Sequence, residues 1–146
     1  MRVTVSWQGG MRLVGQGESG QEVTMDAAPE HGGRNEGARP SEVFLMGMAG
    51  CTALDVLSIL GKKRVKVESF AVDVEAERAD EHPRVFTSAT LIYRLTGPDL
   101  AEEQVKHAIE LSLGKYCAMV NTVKKAAPIS YCYEINGRRS PVEPAP

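Results

Sequence analysis

The sequence predicts an α+β fold in which antiparallel strands form hairpins and helices are inserted between them. Three observations carry this. Apolar and polar residues alternate in several short stretches separated by Gly- and Pro-containing turns, and one long, nearly uncharged run has the length of a helix. The element order is three strands, helix, two strands, two helices, strand, which lacks the strict alternation of strand and helix found in doubly wound parallel sheets. The 146 residues, 42% hydrophobic and 25% charged, suit one compact domain.

Each element has a local reason. Val3, Val5 and Trp7 alternate with polar residues and run into Gly9 and Gly10, which reads as a strand and a hairpin turn. Second and third strands are expected over residues 11–16 and 21–26, followed by a loop rich in Gly, Pro and charge over residues 27–39. Pro40 suits a first helical turn, with Ser41 and the acidic Glu42 beside it, and Gly61 before Lys62 and Lys63 marks the end of this central helix. Phe70, Val72, Val74 and Ala76 alternate, as does the stretch 85–95 beyond the turn at residues 81–83, which predicts an antiparallel hairpin. Pro98 and Asp99 open a second helix that carries Val105, Ile109 and Leu113 on one face and stops at Gly114. A third helix is expected over residues 116–125 and a last strand over 129–135. The domain is then residues 1–136, and residues 137–146, rich in proline, are expected as a disordered tail.

The formal charge of −2 provides no basic field for nucleic acid or an anionic membrane surface. The apolar run from Val43 to Leu60, at about 18 residues, is nearly long enough to cross a bilayer. Asp55 lies inside it, however, and Gly47, Gly50, Thr52 and Ser58 dilute it, so a soluble helix buried on nearly all sides is expected. One chain of this size supplies little cover for such a helix, which points to a dimer. The N-terminus alternates like a strand and has no charged-then-apolar signal, so the expected location is cytoplasmic.

The chemistry rests with cysteine. Cys51 sits in MAGCTALDVLSIL and Cys117 in GKYCAMVNTV, with spacing that suits neither zinc nor a CxxC redox site. Two such thiols can meet across a fold as nucleophile and resolving partner; alternatively each is a buried core residue. Cys117, at the start of the third helix with Lys115 beside it, is expected to have a lowered pKa. Cys51 is mid-helix with Asp55 one turn on, and needs a cation to become a nucleophile. Cys132 in SYCYEI reads as structural, and His31, His82 and His107 as ordinary surface without metal-pair spacing.

PSEVFLMGMAGCTALDVLSIL, with KYCAMVNTV placing its cysteine about 66 positions after the first, resembles the OsmC/Ohr family of osmotically inducible and organic-hydroperoxide-resistance proteins, and its OsmC-like branch in particular. The resemblance implies antiparallel sheets wrapped around central helices in an intertwined homodimer. It also implies a thiol peroxidase acting in oxidative stress defence. Cys51 would attack an organic hydroperoxide and become a sulfenic acid, and Cys117 would close a disulfide that an external dithiol, of the lipoyl type, reopens. No metal or other cofactor is implied.

An arginine oriented by a glutamate completes the family pattern. Arg12 fits the early-strand position, with Arg34 and Arg39 as alternatives, and Glu42 is its expected partner, although it stands nine residues before Cys51 where the pattern has ten. The other function compatible with the scaffold is a non-enzymatic dimer that binds a hydrophobic ligand or senses redox state.

Overall fold

The computed structural model describes residues 1–146, which divide into two compact units, Met1–Leu45 and Met46–Pro146. The architecture is α+β, as expected.

In the N-terminal unit, β1 (Val3–Trp7), β2 (Leu13–Gly17) and β3 (Glu22–Met25) form an antiparallel sheet in chain order. The β1–β2 connection needs the left-handed backbone of Gly9 and Gly10, with φ of 95° and 57°. The Trp7 indole N–H caps this turn by donating to the Gly10 carbonyl at 2.8 Å. After β3, Asp26 organises the long loop. Its carboxylate accepts backbone N–H groups from Ala27, Arg34 and Glu36 at 2.8–3.0 Å, and the last two of these hold its pKa below the usual carboxylate range.

The division between units falls within α1 (Pro40–Lys62), whose bounds extend the expected helix by one residue. In the C-terminal unit, β4 (Ser69–Arg78) and β5 (Phe86–Thr96) form the anticipated antiparallel hairpin. The chain then passes through α2 (Glu102–Leu111), a π-helical turn (Ser112–Tyr116) and α3 (Ala118–Val123) to β6 (Ile129–Ile135). Here the structure corrects the expectation of purely antiparallel sheets: β6 pairs with β5 in parallel. The helical crossover between them brings the chain back to the end where β5 began, which a hairpin cannot do.

Two further differences follow from the same region. Gly114 does not end the second helix, because the π-helical turn carries the backbone through it as far as Tyr116. Nor is the tail disordered: β7 (Arg138–Arg139) and β8 (Glu143–Pro144) both pair antiparallel with β6. Glu143 fixes this segment by accepting from the Lys106 ammonium at 2.7 Å and from the Tyr131 hydroxyl at 3.3 Å. Proline content suggested disorder, but one paired carboxylate and an available flank of β6 outweigh it.

The core of the C-terminal unit is built on α1 and β5. Met48, Thr52, Val56 and Leu60, spaced by four, are fully buried, together with Leu91, Tyr93 and Leu95 of β5 and Val105 and Ile109 of α2. The opposite side of α1 is open: Leu54 is 72% exposed and Met46 60%. By length and hydropathy α1 could cross a membrane, yet it carries a buried core stripe and its expected burial on all sides is not met within one chain.

Candidate active site

Cys51 lies mid-way along α1, half-buried, and Cys117 is the fully buried N-cap residue of α3. The π-helical turn delivers Cys117 to this place. Its extra backbone per turn redirects the chain at the end of α2, and the Cys117 N–H closes the turn on the Ser112 carbonyl at 2.9 Å. The two sulfurs are 2.9 Å apart, with Cys117 donating and Cys51 accepting. Both thiols are free.

The expected lowering of the Cys117 pKa is not found. Burial, and the thiol proton shared with Cys51, push it up to about 12, against a weaker opposing effect of the Val120 N–H at 3.4 Å. α3 has only six residues, so its end offers little field, and the Lys115 ammonium is 5.5 Å from the Tyr116 ring centroid. Cys117 therefore holds its proton, which leaves Cys51 as the sulfur that receives a hydrogen bond.

Around the thiols runs a chain of polar groups. The Tyr93 hydroxyl is 2.7 Å from Thr52 Oγ1, Thr52 Oγ1 is 2.9 Å from Ser112 Oγ, and Ser112 Oγ donates to Asp55 Oδ2 at 2.9 Å. Thr52, Ser112 and Tyr93 are fully buried. Burial raises the Tyr93 pKa, and the neighbouring Cys117, Asp55 and Cys51 add to this. In the sequence Thr52 stands out only as a residue that dilutes the apolar run, and Ser112 and Tyr93 carry no expectation of a site role. A signal existed: Thr52 interrupts the apolar series Met48, Val56, Leu60, and a hydroxyl on a core stripe requires a partner.

Cys51, Asp55 and Cys117 place a sulfur, a carboxylate oxygen and a sulfur within 4.8 Å of one another. This is a donor set that zinc accepts. Two thiolates on one tetrahedral zinc stand ~3.8 Å apart, however, and these sulfurs are closer, in a spacing nearer to disulfide formation. A pocket of about 350 Å³ opens beside Asp55, lined also by Ser58, Ile59, Lys62, Leu111 and Tyr116.

Arg12 and Glu42 belong to the N-terminal unit. The Glu42 carboxylate accepts the Arg39 backbone N–H at 2.7 Å, as the third helical residue does in a capping box. The Arg39 guanidinium braces its own loop through the Asp26 and Gly37 carbonyls and Asn35. Arg12 makes no ion pair with Glu42; it lines a cleft of about 220 Å³ with Gly9, Gly10, Asp26, Arg34 and Glu36. Cys132 is buried on β6 opposite Ile92, outside the dithiol cluster.

The family model described as OsmC-like protein matches residues 33–131, which include both site cysteines. The chain belongs to the OsmC-like family. Protein YhfA of Escherichia coli strain K12 is 36% identical over 135 residues, covering 92% of this OsmC-like chain and 98% of YhfA. Among solved structures, a hypothetical protein from Aquifex aeolicus VF5 superposes with a TM-score of 0.80 at 24% identity, over 92% of this chain and 95% of that one. An organic hydroperoxide resistance protein from Elizabethkingia anophelis superposes with a TM-score of 0.64 at 16% identity, over 93% and 97%. These two similarities establish the shared fold.

Proposed function

We propose that this OsmC-like protein is a homodimeric thiol peroxidase that reduces organic hydroperoxides. The observation that carries the reading is the 2.9 Å approach of Cys51 and Cys117 Sγ, supplied by two separate elements and oriented so that Cys51 accepts and Cys117 donates. Cys51 attacks the peroxide O–O bond, the alcohol leaves, and Cys51 becomes a sulfenic acid. Cys117 then closes the disulfide and releases water, before further oxidation of Cys51. An external dithiol, of the lipoyl type, restores both thiols, and the cycle requires no metal or other cofactor.

To this cycle we assign Arg12 as the cation for the Cys51 thiolate and Glu42 as its orienting partner, a pairing that the single chain does not make. A second copy of the chain covers the apolar side of α1 and the exposed Val3, Val5 and Trp7 of β1. The membership of hydroperoxide resistance proteins in the same fold supports the assignment. The setting is cytoplasmic, where a dithiol pair is kept reduced between turnovers.

The test is stoichiometric. One equivalent of cumene hydroperoxide should consume two thiols and yield one Cys51–Cys117 bond on peptide mapping. Loss of no thiols under these conditions would reject the peroxidase, and favour the ligand-binding dimer.

A further inference from the structure

Asp55 has no task in the cycle as written, yet it shares the space of both sulfurs. It lies one turn beyond Cys51 on α1, and a carboxylate oxygen is within 4.8 Å of each Sγ. Its orientation is fixed by the same turn that positions Cys117: Ser112, the first residue of that turn, donates its hydroxyl proton to Asp55 Oδ2. A hydroxyl carries one proton. Because that of Ser112 is committed to Asp55, Ser112 Oγ accepts from Thr52, and Thr52 Oγ1 in turn accepts from Tyr93. Three buried O–H dipoles are therefore aligned in series towards one carboxylate, each polarising the next.

A carboxyl group offers no positive charge to a Cys51 thiolate, so this arrangement does not serve to activate Cys51 at rest. It suits a step in which a proton must leave a buried thiol. Cys117 is such a thiol: it is fully buried, it holds its proton against Cys51, and the nearest lysine in sequence is turned to the Tyr116 ring.

We propose that Asp55 is the proton acceptor for Cys117 in the disulfide-forming step, an inference that rests on the peroxidase reading for its physiological use. As Cys117 Sγ attacks the sulfur of the Cys51 sulfenic acid, the Cys117 proton passes to the Asp55 carboxylate. The S–H electron pair becomes the S–S bond, the S–O bond breaks with its pair on oxygen, and the departing hydroxide takes the proton from Asp55 and leaves as water. The oxidation already stored in Cys51 is shared between two sulfurs, and Asp55 returns to the carboxylate. One bridging water or a rotation of the Asp55 side chain spans the remaining distance.

The experiment has two arms on the full chain, with Asp55→Asn as the variant. In the first, one equivalent of cumene hydroperoxide is added and Cys51 oxidation and disulfide formation are followed separately. Asp55→Asn should oxidise Cys51 within about threefold of the wild-type rate, but close the disulfide at least about tenfold more slowly, with dimedone trapping the sulfenic acid. The second arm uses no peroxide. Cys51 is converted to its mixed disulfide with 5-thio-2-nitrobenzoate, and attack by Cys117 releases the coloured thiolate.

Here too the variant should be at least about tenfold slower, and added formate should restore part of the rate, which a purely structural defect would not permit. Equal rates for wild type and Asp55→Asn in the second arm overturn the proposal. If wild-type Cys51 fails to oxidise in the first arm while the second shows the slowing, the peroxidase reading falls and the role of Asp55 stands. Should Asp55→Asn not fold, Ser112→Ala keeps the carboxylate but removes its anchor. Slower release in the second arm then supports the proposal, and an unchanged rate overturns it.

Discussion

Cys117 donates its thiol proton to Cys51 across 2.9 Å, so that a helix-cap residue and a mid-helix residue 66 positions apart in sequence form one dithiol. Their environments differ: Cys117 is sealed and Cys51 is half-buried beside a residue that lines a pocket. The accessible sulfur is the one that should meet peroxide. Cys51→Ser should lose hydroperoxide reduction to a few per cent or less, roughly, because a neutral hydroxyl is a poor nucleophile beside a thiolate. Cys117→Ser should react once and stall as Cys51 sulfenic or sulfinic acid. Cys132→Ser should retain activity within about twofold, since the substituted atom lies outside the cluster. Mass spectrometry after one equivalent of hydroperoxide distinguishes these outcomes; oxidation of Cys117 in Cys51→Ser would reverse the two roles.

The same burial has a consequence for stability. The Cys117 pKa is raised to about 12 in the folded protein, chiefly by desolvation and then by its bond to Cys51, from an ordinary value of 9.0. Above 9.0 the unfolded chain loses this proton while the folded chain keeps it, so the contribution is present at lower pH and is lost as pH rises towards 12. The reduced protein should therefore become steadily less stable to urea over that window. Cys117→Ser should show a shallower decline, with the remainder due to the buried tyrosines, Tyr133 among them, whose pKa is also raised to about 12 by burial. Parallel declines for the two proteins would contradict the raised pKa.

Most of the scaffold was legible because its signals are local. Alternation located β4 and β5, and Ile129–Ile135 falls on the expected last strand. What escaped was long-range. Parallel pairing of β6 depends on where a helical crossover returns the chain, and the order of the tail depends on Glu143 meeting Lys106 and Tyr131. Neither has a local pattern. In the site, the two cysteines stood out by their settings, whereas the raised Cys117 pKa depends on burial, which no spacing reveals. Asp55 was noticed, but only as a hindrance to thiolate formation; its anchoring by Ser112, 57 positions away, belongs to the tertiary structure.

Thr52 tests whether the hydroxyl chain is a structural requirement. Thr52→Val conserves shape but removes the hydroxyl that bridges Tyr93 and Ser112, leaving the buried Tyr93 hydroxyl without that partner. An orphaned buried hydroxyl costs about 1–3 kcal/mol, so urea denaturation should show a loss of that order. Tyr93→Phe made in the Thr52→Val background should recover part of it, because removing both partners eliminates the unpaired group. A neutral Thr52→Val would show that these hydroxyls exchange partners freely.

The last prediction concerns the open side of α1. Leu54 is 72% exposed and Met46 60% within one chain, on a helix whose other side is buried in the core of the C-terminal unit. A single exposed leucine needs no explanation, but a row of them continuing an apolar helix does, and β1 adds Trp7 at 71%. If a second copy covers this side, Leu54→Glu buries an unpaired charge in the interface, which costs several kcal/mol and should convert the dimer to monomers in light scattering. On an uncovered surface the same change would alter stability by about 0.5 kcal/mol or less. A wild-type protein with monomeric mass and native circular dichroism at micromolar concentration would leave these side chains in water, and the dimer would have to be abandoned.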